Sequence, residues 1–182
     1  MTLFSRGVLC LFVFSYVALI GQVLTGFQGW GRLLYSCLAG LMAALIGSQI
    51  SNNLYLVLGG RQLRTSSLKE AGVPAGWREK LFVCLFQIPA EEGIFRTVLL
   101  EGYLLLMPDK PVGAILVSSL AVVALHFIYS FNHVNRSWQG MLGLAAANVS
   151  LCLAYLWGGG IVASLSAHYV FDADYWRHYL DK

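Results

Sequence analysis

Residues 80–106 read KLFVCLFQIPAEEGIFRTVLLEGYLLL. A helix needs about 20 mostly apolar residues to cross a bilayer, and this stretch has them. Yet it also carries Glu91, Glu92, Arg96 and Glu101. An ionised side chain at mid-bilayer costs at least about 2.5–3.5 kcal/mol on insertion scales, so such groups mark function or face a polar cavity. Glu92 and Arg96 are four residues apart on one helix face and can pair. Glu91 points about 100° away round the helix and has no obvious local partner. A carboxylate left free in an apolar site is suited to act as a general base. The competing reading is a Glu-Glu-Arg cluster that only glues helices together. Pro89 removes a backbone hydrogen bond just before the pair and is expected to kink or restart the helix. Counted from Lys80 along a regular upright helix, Glu91 would sit about 16 Å deep. Glu101 is expected near the opposite interface, without a role.

The rest of the chain has the same character. Of its 182 residues, 58% are hydrophobic and 12% charged, with 19 glycines besides. A soluble domain has about 25% charged residues, so this chain could not cover a water-facing surface of its size. Disorder, a collagen-like repeat and a disulfide scaffold are excluded by the same figures. The net charge of +3 gives no footprint for nucleic acid. Cys10, Cys37, Cys84 and Cys152 are scattered through apolar runs with no CxxC spacing, which fits small packing residues.

Six spans are expected, at about 6–25, 32–58, 81–106, 112–131, 139–157 and 159–175. The chain is then an all-α polytopic bundle forming one transmembrane domain over 1–182. Residues 1–60 would form a generic helical pair, 61–80 a cytoplasmic loop and 81–175 the chemical core. The first span has a basic start but lacks a small-x-small cleavage site, so it is read as retained rather than as a signal peptide. The second is expected to end in an irregular tail, because Ser51, Asn52 and Asn53 interrupt it. The last is the weakest, with Gly158, Gly159 and Gly160 at its start. Loop 61–80 holds Arg61, Arg64, Lys69, Arg78 and Lys80, five of the twelve basic residues. The positive-inside rule places it in the cytoplasm. Both termini then face the cytoplasm, with Arg6, Arg136, Arg177 and Lys182 inside and only Arg32 and Lys110 outside. Trp30, Trp77, Trp138, Trp157 and Trp176 fall at predicted span ends, where amphipathic rings favour the headgroup region.

On this topology His126, in the fourth span, and His168 with Asp172, in the sixth, come near the cytoplasmic edge. His168 and Asp172 are four apart and share a face. Together with Glu91 they would bring polar groups from three spans to one depth. A lone membrane histidine usually only hydrogen-bonds between helices, but two histidines meeting a carboxylate pair favour chemistry. His133 and the Asn135 sequon belong to an expected cytoplasmic turn, and His178 to the polar tail.

Glu91-Glu92-Gly93-Ile94-Phe95-Arg96 fits the pattern EExxxR. It is followed in order by Ser118-Ser119-Leu120 with His126, and then by His168 with Asp172. In these residues the chain resembles the CPBP family, the CAAX proteases and bacteriocin-processing proteins, which are intramembrane glutamic endopeptidases. The likeness covers about residues 81–175. Val122 stands where the second motif usually has Phe, and Asp172 where Asn is commoner. Neither change removes a catalytic group. The resemblance implies that Glu91, with His126, activates a water to attack a peptide carbonyl. His168 and Asp172 would stabilise the oxyanion, while Glu92 and Arg96 fix the helix and tune Glu91. No cofactor or metal is implied. The expected partners are membrane lipid and a membrane-anchored peptide or protein, prenylated or bearing a leader. The expected location is a bacterial cytoplasmic membrane. Two rival readings stand beside this one. Two histidines and a carboxylate could hold Zn²⁺, although HExxH is absent and Arg96 beside the site disfavours a cation. The fold could also persist without turnover, as an immunity or interaction protein.

Overall fold

The computed structural model describes residues 20–23, 29–58, 76–129 and 138–180, with the backbone alone given for a few of them. All of the secondary structure described is helical. Residues 20–23 are a short helical piece of the expected first span; the rest of that span lies outside the described residues, as do residues 61–75, His133 and Asn135. Five long helical segments follow: α1 (Trp30–Val57), α2 (77–106), α3 (Pro111–Tyr129), α4 (Trp138–Gly158) and α5 (Ile161–Leu180). In lipid a helix satisfies every backbone polar group within itself, which is why apolar runs of this length take that form.

Among the described residues, three helices are long and apolar enough to cross a membrane, over Trp30–Ser51, Pro111–Ile128 and Trp138–Gly158. Segments α2 and α5 are as long, but their ionisable residues take them out of that class. Trp30, Trp77, Trp138 and Trp157 stand exposed at or within a residue of helix ends. Their placement fits the interfacial role their spacing suggested.

Helix α1 lies across both α4 and α5 and packs more extensively on them than any other pair in the fold. Small residues permit this closeness. A Cβ at Gly40 would collide with the Ala163 carbonyl and come 2.9 Å from Ser166 Cβ, and one at Gly158 would come 2.8 Å from Ala163 Cβ. The core between these helices is correspondingly fine-grained: Ala44, Leu151, Ala154, Ala163 and Ala167. The predicted irregular tail of the second span is not there. The helix runs unbroken through Ser51, Asn52 and Asn53 to Val57. The Ser51 hydroxyl donates to the Gly143 carbonyl at 2.8 Å, so the polar residue stitches α1 to α4 instead of ending the helix. Between α4 and α5 the chain reverses at Gly159 and Gly160, whose φ angles are 104° and 88°. Only glycine adopts such angles without strain.

Segment α2 is the irregular one. Its turns at Val83–Gln87 and again at Gly93–Glu101 are π-helical, and between them the α-helix restarts at Ile88–Glu92 with Pro89 in its first turn. The Ile88 N–H reaches back five residues to the Val83 carbonyl. On that pattern residue 89 would serve the Cys84 carbonyl, but proline has no N–H to give. The Tyr169 hydroxyl of α5 takes its place, donating to the Cys84 carbonyl at 2.6 Å. Such π-turns are rare and concentrate at functional sites.

Candidate active site

Glu91 and Glu92 end the short α-helical stretch of α2, directly before its second wide turn. Glu92 is wholly enclosed at 0% exposure and Arg96 nearly so at 1%; their Oε2 and Nε atoms are 3.3 Å apart. The pairing expected from their spacing is present, but the approach is not that of a hydrogen bond: neither Glu92 Oε2 nor Arg96 Nε has such a partner among the described residues. The other Glu92 oxygen, Oε1, faces His168 Nδ1 at 2.8 Å. Since a carboxylate only accepts, His168 donates its Nδ1–H to Glu92.

That bond fixes what the far side of the ring can do. His168 Nε2 faces Glu91 Oε2 at 3.8 Å and Asp172 Oδ1 at 4.0 Å. With Nδ1 already protonated, Nε2 offers a proton to these carboxylates only as the imidazolium. In that form three carboxylates face one guanidinium and one imidazolium, and one negative charge is left over. Two of the carboxylates have access to the outside: the Glu91 side chain is 15% exposed and that of Asp172 31%, with His168 between them at 14%. The second Glu91 oxygen accepts a hydrogen bond from Gln87 Nε2 at 2.9 Å. Glu91 therefore has a local partner after all, one turn back on its own helix. The sequence signal was the four-residue spacing, hidden inside an otherwise apolar run.

His126 joins through space. Its Nδ1 lies 2.9 Å from the Val122 carbonyl on its own helix, and it interacts electrostatically with Asp172. A carbonyl accepts, so Nδ1 carries a hydrogen and Nε2 is the ring nitrogen left free of that bond. The bond uses the backbone of residue 122, so valine in place of phenylalanine leaves it intact. Thus Glu91, Glu92, Arg96, His168 and Asp172 form one connected group from α2 and α5, with His126 of α3 beside it.

The structure also gives contacts to residues for which the sequence suggested no role of their own. Behind Arg96, the buried Ser118 and Ser119 of α3 and Asn148 of α4 form a polar layer. Toward the other end of α2, Glu101 accepts hydrogen bonds from Gln22 and from the Tyr155 hydroxyl, the latter at 2.8 Å. Thr97 donates to Gln22 at 3.1 Å. Glu101 is therefore a contact between helices rather than an idle interfacial charge. Cys37, Cys84 and Cys152 are free thiols, in keeping with packing residues.

What the group can do follows from its layout. A partly accessible carboxylate stands beside a buried network of His168, Glu92 and Arg96, with a second histidine on the neighbouring helix. Such a set can take a proton from water and present donors to a developing oxyanion. Residues 75–173 match the model of a family described as type II CAAX prenyl endopeptidase, Rce1-like. No curated protein and no solved structure matches the chain.

Proposed function

Because the chain belongs to the type II CAAX prenyl endopeptidase, Rce1-like family, a family of proteases that work in membranes, we propose that it hydrolyses a peptide bond of a membrane-associated substrate with water activated by Glu91 and His126. It is an integral membrane protein, and its catalytic core is assigned to residues 81–175 of six spans with the active site toward the cytoplasmic side of a bacterial inner membrane. The observation that carries the reading is the contact series from Arg96 through Glu92 to His168 and on to Glu91, at 3.3, 2.8 and 3.8 Å.

In the proposed reaction Glu91 takes a proton from water while the water oxygen attacks the scissile carbonyl carbon. The carbonyl oxygen gains the negative charge and is met by the His168 Nε2–H. Asp172 orients that ring, or donates as well when protonated. Collapse of the tetrahedral species re-forms the carbonyl and breaks the C–N bond. The leaving amine takes the proton held by Glu91, with His126 as the second proton carrier. Glu92 and Arg96 touch neither water nor substrate and hold His168 in place. The wide turns around Pro89 suit an entry for water. The substrate is a membrane-anchored peptide, prenylated or leader-bearing.

The test is cleavage of prenylated and unprenylated membrane-anchored peptides by the protein in liposomes, with and without chelator. Wild type cleaves and resists chelator, while Glu91→Gln and His126→Ala each lose at least about a hundredfold in kcat, the range expected for a general base. A Glu91→Gln protein that still cleaves at the wild-type rate sinks the reading. Inhibition by chelator would move the assignment to a metal.

A further inference from the structure

Asn148 lies in the middle of α4, in the run GLAAANVSLCLAYLW at 143–157. An amide there is costly to bury unless it is bonded, and it is only 2% exposed. Its Nδ2 donates to Ser119 Oγ at 3.0 Å and to Ser118 Oγ at 3.4 Å. Ser118, also fully buried, accepts from Arg96 Nη1 at 3.1 Å and donates its single hydrogen to the Phe95 carbonyl at 3.2 Å. These directions are forced. Arg96 can only donate, and the Ser118 hydrogen is committed to Phe95, so toward Asn148 the hydroxyl can only accept. The amide nitrogen must face Ser118, which leaves Asn148 Oδ1 buried without a partner among the described residues.

This layer controls one thing the ion pair does not. Arg96 Nε and Glu92 Oε2 are close but lack hydrogen-bond geometry. The guanidinium is therefore oriented from its other end, at Nη1, by Ser118. We propose that Ser118 and Asn148 are positioning residues of the hydrolytic site: Asn148 holds Ser118, Ser118 sets the plane of Arg96, and Arg96 holds Glu92 where it can aim His168 at Glu91. The proposal rests on the protease reading and extends it to two helices, α3 and α4, that otherwise contribute only His126.

The experiment uses the full-length protein in liposomes and a peptide that wild type cleaves in a Glu91-dependent manner. Ser118→Ala is expected to lower kcat about 10- to 100-fold, the loss typical of sub-ångström to 1 Å misplacement of catalytic groups. KM should stay within about twofold, because neither residue touches substrate. Ser118→Thr, which keeps the hydroxyl, restores kcat to within about threefold of wild type. Asn148→Asp is the second variant: it keeps the shape but removes both donors and offers Arg96 a competing carboxylate. It should reproduce the kcat loss per folded molecule, with the thermal midpoint lowered by the carboxylate it buries. Wild-type kcat in Ser118→Ala overturns the proposal, as does a Thr variant no better than the Ala variant. So does activity in Ser118→Ala and Asn148→Asp that falls only in proportion to the folded fraction, including complete failure of both to fold. The protease reading fails differently, through a wild type that does not cleave or a Glu91→Gln that does.

Discussion

Replacing Arg96 by leucine tests the charge state on which the site depends. Glu92 is entirely enclosed and its carboxylate lies 3.3 Å from the Arg96 guanidinium. At an effective dielectric of about 20, unit charges at 3.3 Å attract by about 5 kcal/mol. Removing one partner of a buried pair costs about 3–5 kcal/mol, because the other charge is left uncompensated. His168 remains hydrogen-bonded to Glu92 at 2.8 Å, so Arg96→Leu should fall at the low end, about 3 kcal/mol. The double variant Glu92→Leu/Arg96→Leu exchanges both charges for apolar groups but leaves the His168 Nδ1–H without its acceptor, and should come back to within about 2 kcal/mol of wild type. Both proteins should be inactive. The assay is a denaturant titration in detergent micelles followed by tryptophan fluorescence, run beside peptide cleavage. An Arg96→Leu cost below about 1 kcal/mol would mean that Glu92 is not a carboxylate held by Arg96, and the proposed aiming of His168 would fall with it.

Four further outcomes are expected. Gly40→Ala forces a methyl into the Ala163 carbonyl and should destabilise by about 1–3 kcal/mol, as overpacking does. Gly102→Ala, with nothing within 4 Å of the added carbon, should be neutral or stabilising by up to about 1 kcal/mol in the same titration. Gly159→Ala must hold φ near 104° and meet Ser36, a loss of about 1–2 kcal/mol or more in unfolding midpoint measurements. Tyr169→Phe removes the donor to the Cys84 carbonyl beside Pro89; about 1 kcal/mol of stability should go, and amide exchange across 83–87 should quicken.

Most of the fold was readable because in lipid the length of an apolar run nearly determines the helix. The expected spans at 112–131 and 139–157 differ from Pro111–Tyr129 and Trp138–Gly158 by two residues at most. The second span was misjudged because polar residues were weighed as breakers, when Ser51 had a carbonyl across the interface to bond. In the site, i,i+4 spacing exposed Glu92 with Arg96 and His168 with Asp172, and both pairs are close in space. Which glutamate would bond His168 was not readable. Glu91 and Glu92 are neighbours, and the wide turns of α2 set their direction in a way that a regular 100° step does not anticipate. Asn148 was invisible for another reason: its partners Ser118 and Ser119 are about 30 residues away, on a helix whose serines looked like part of a motif leading to His126.

The glycine reversal at 159–160 ties α4 to α5, and α1 lies across both, so these three helices hang together as one block. Segments α2 and α3 are joined by the short turn at 107–110, and α3 packs on α4 as well as on α2. The two glutamates stand on α2, and His168 and Asp172 on α5. The proposed base and the proposed oxyanion donor thus lie on opposite banks of the seam between those two segments. Any rocking that parted the banks to admit a peptide would also disarm the chemistry, and reclosing would rearm it around the bound chain. Under the proposed reaction, a site divided in this way carries its own safety catch.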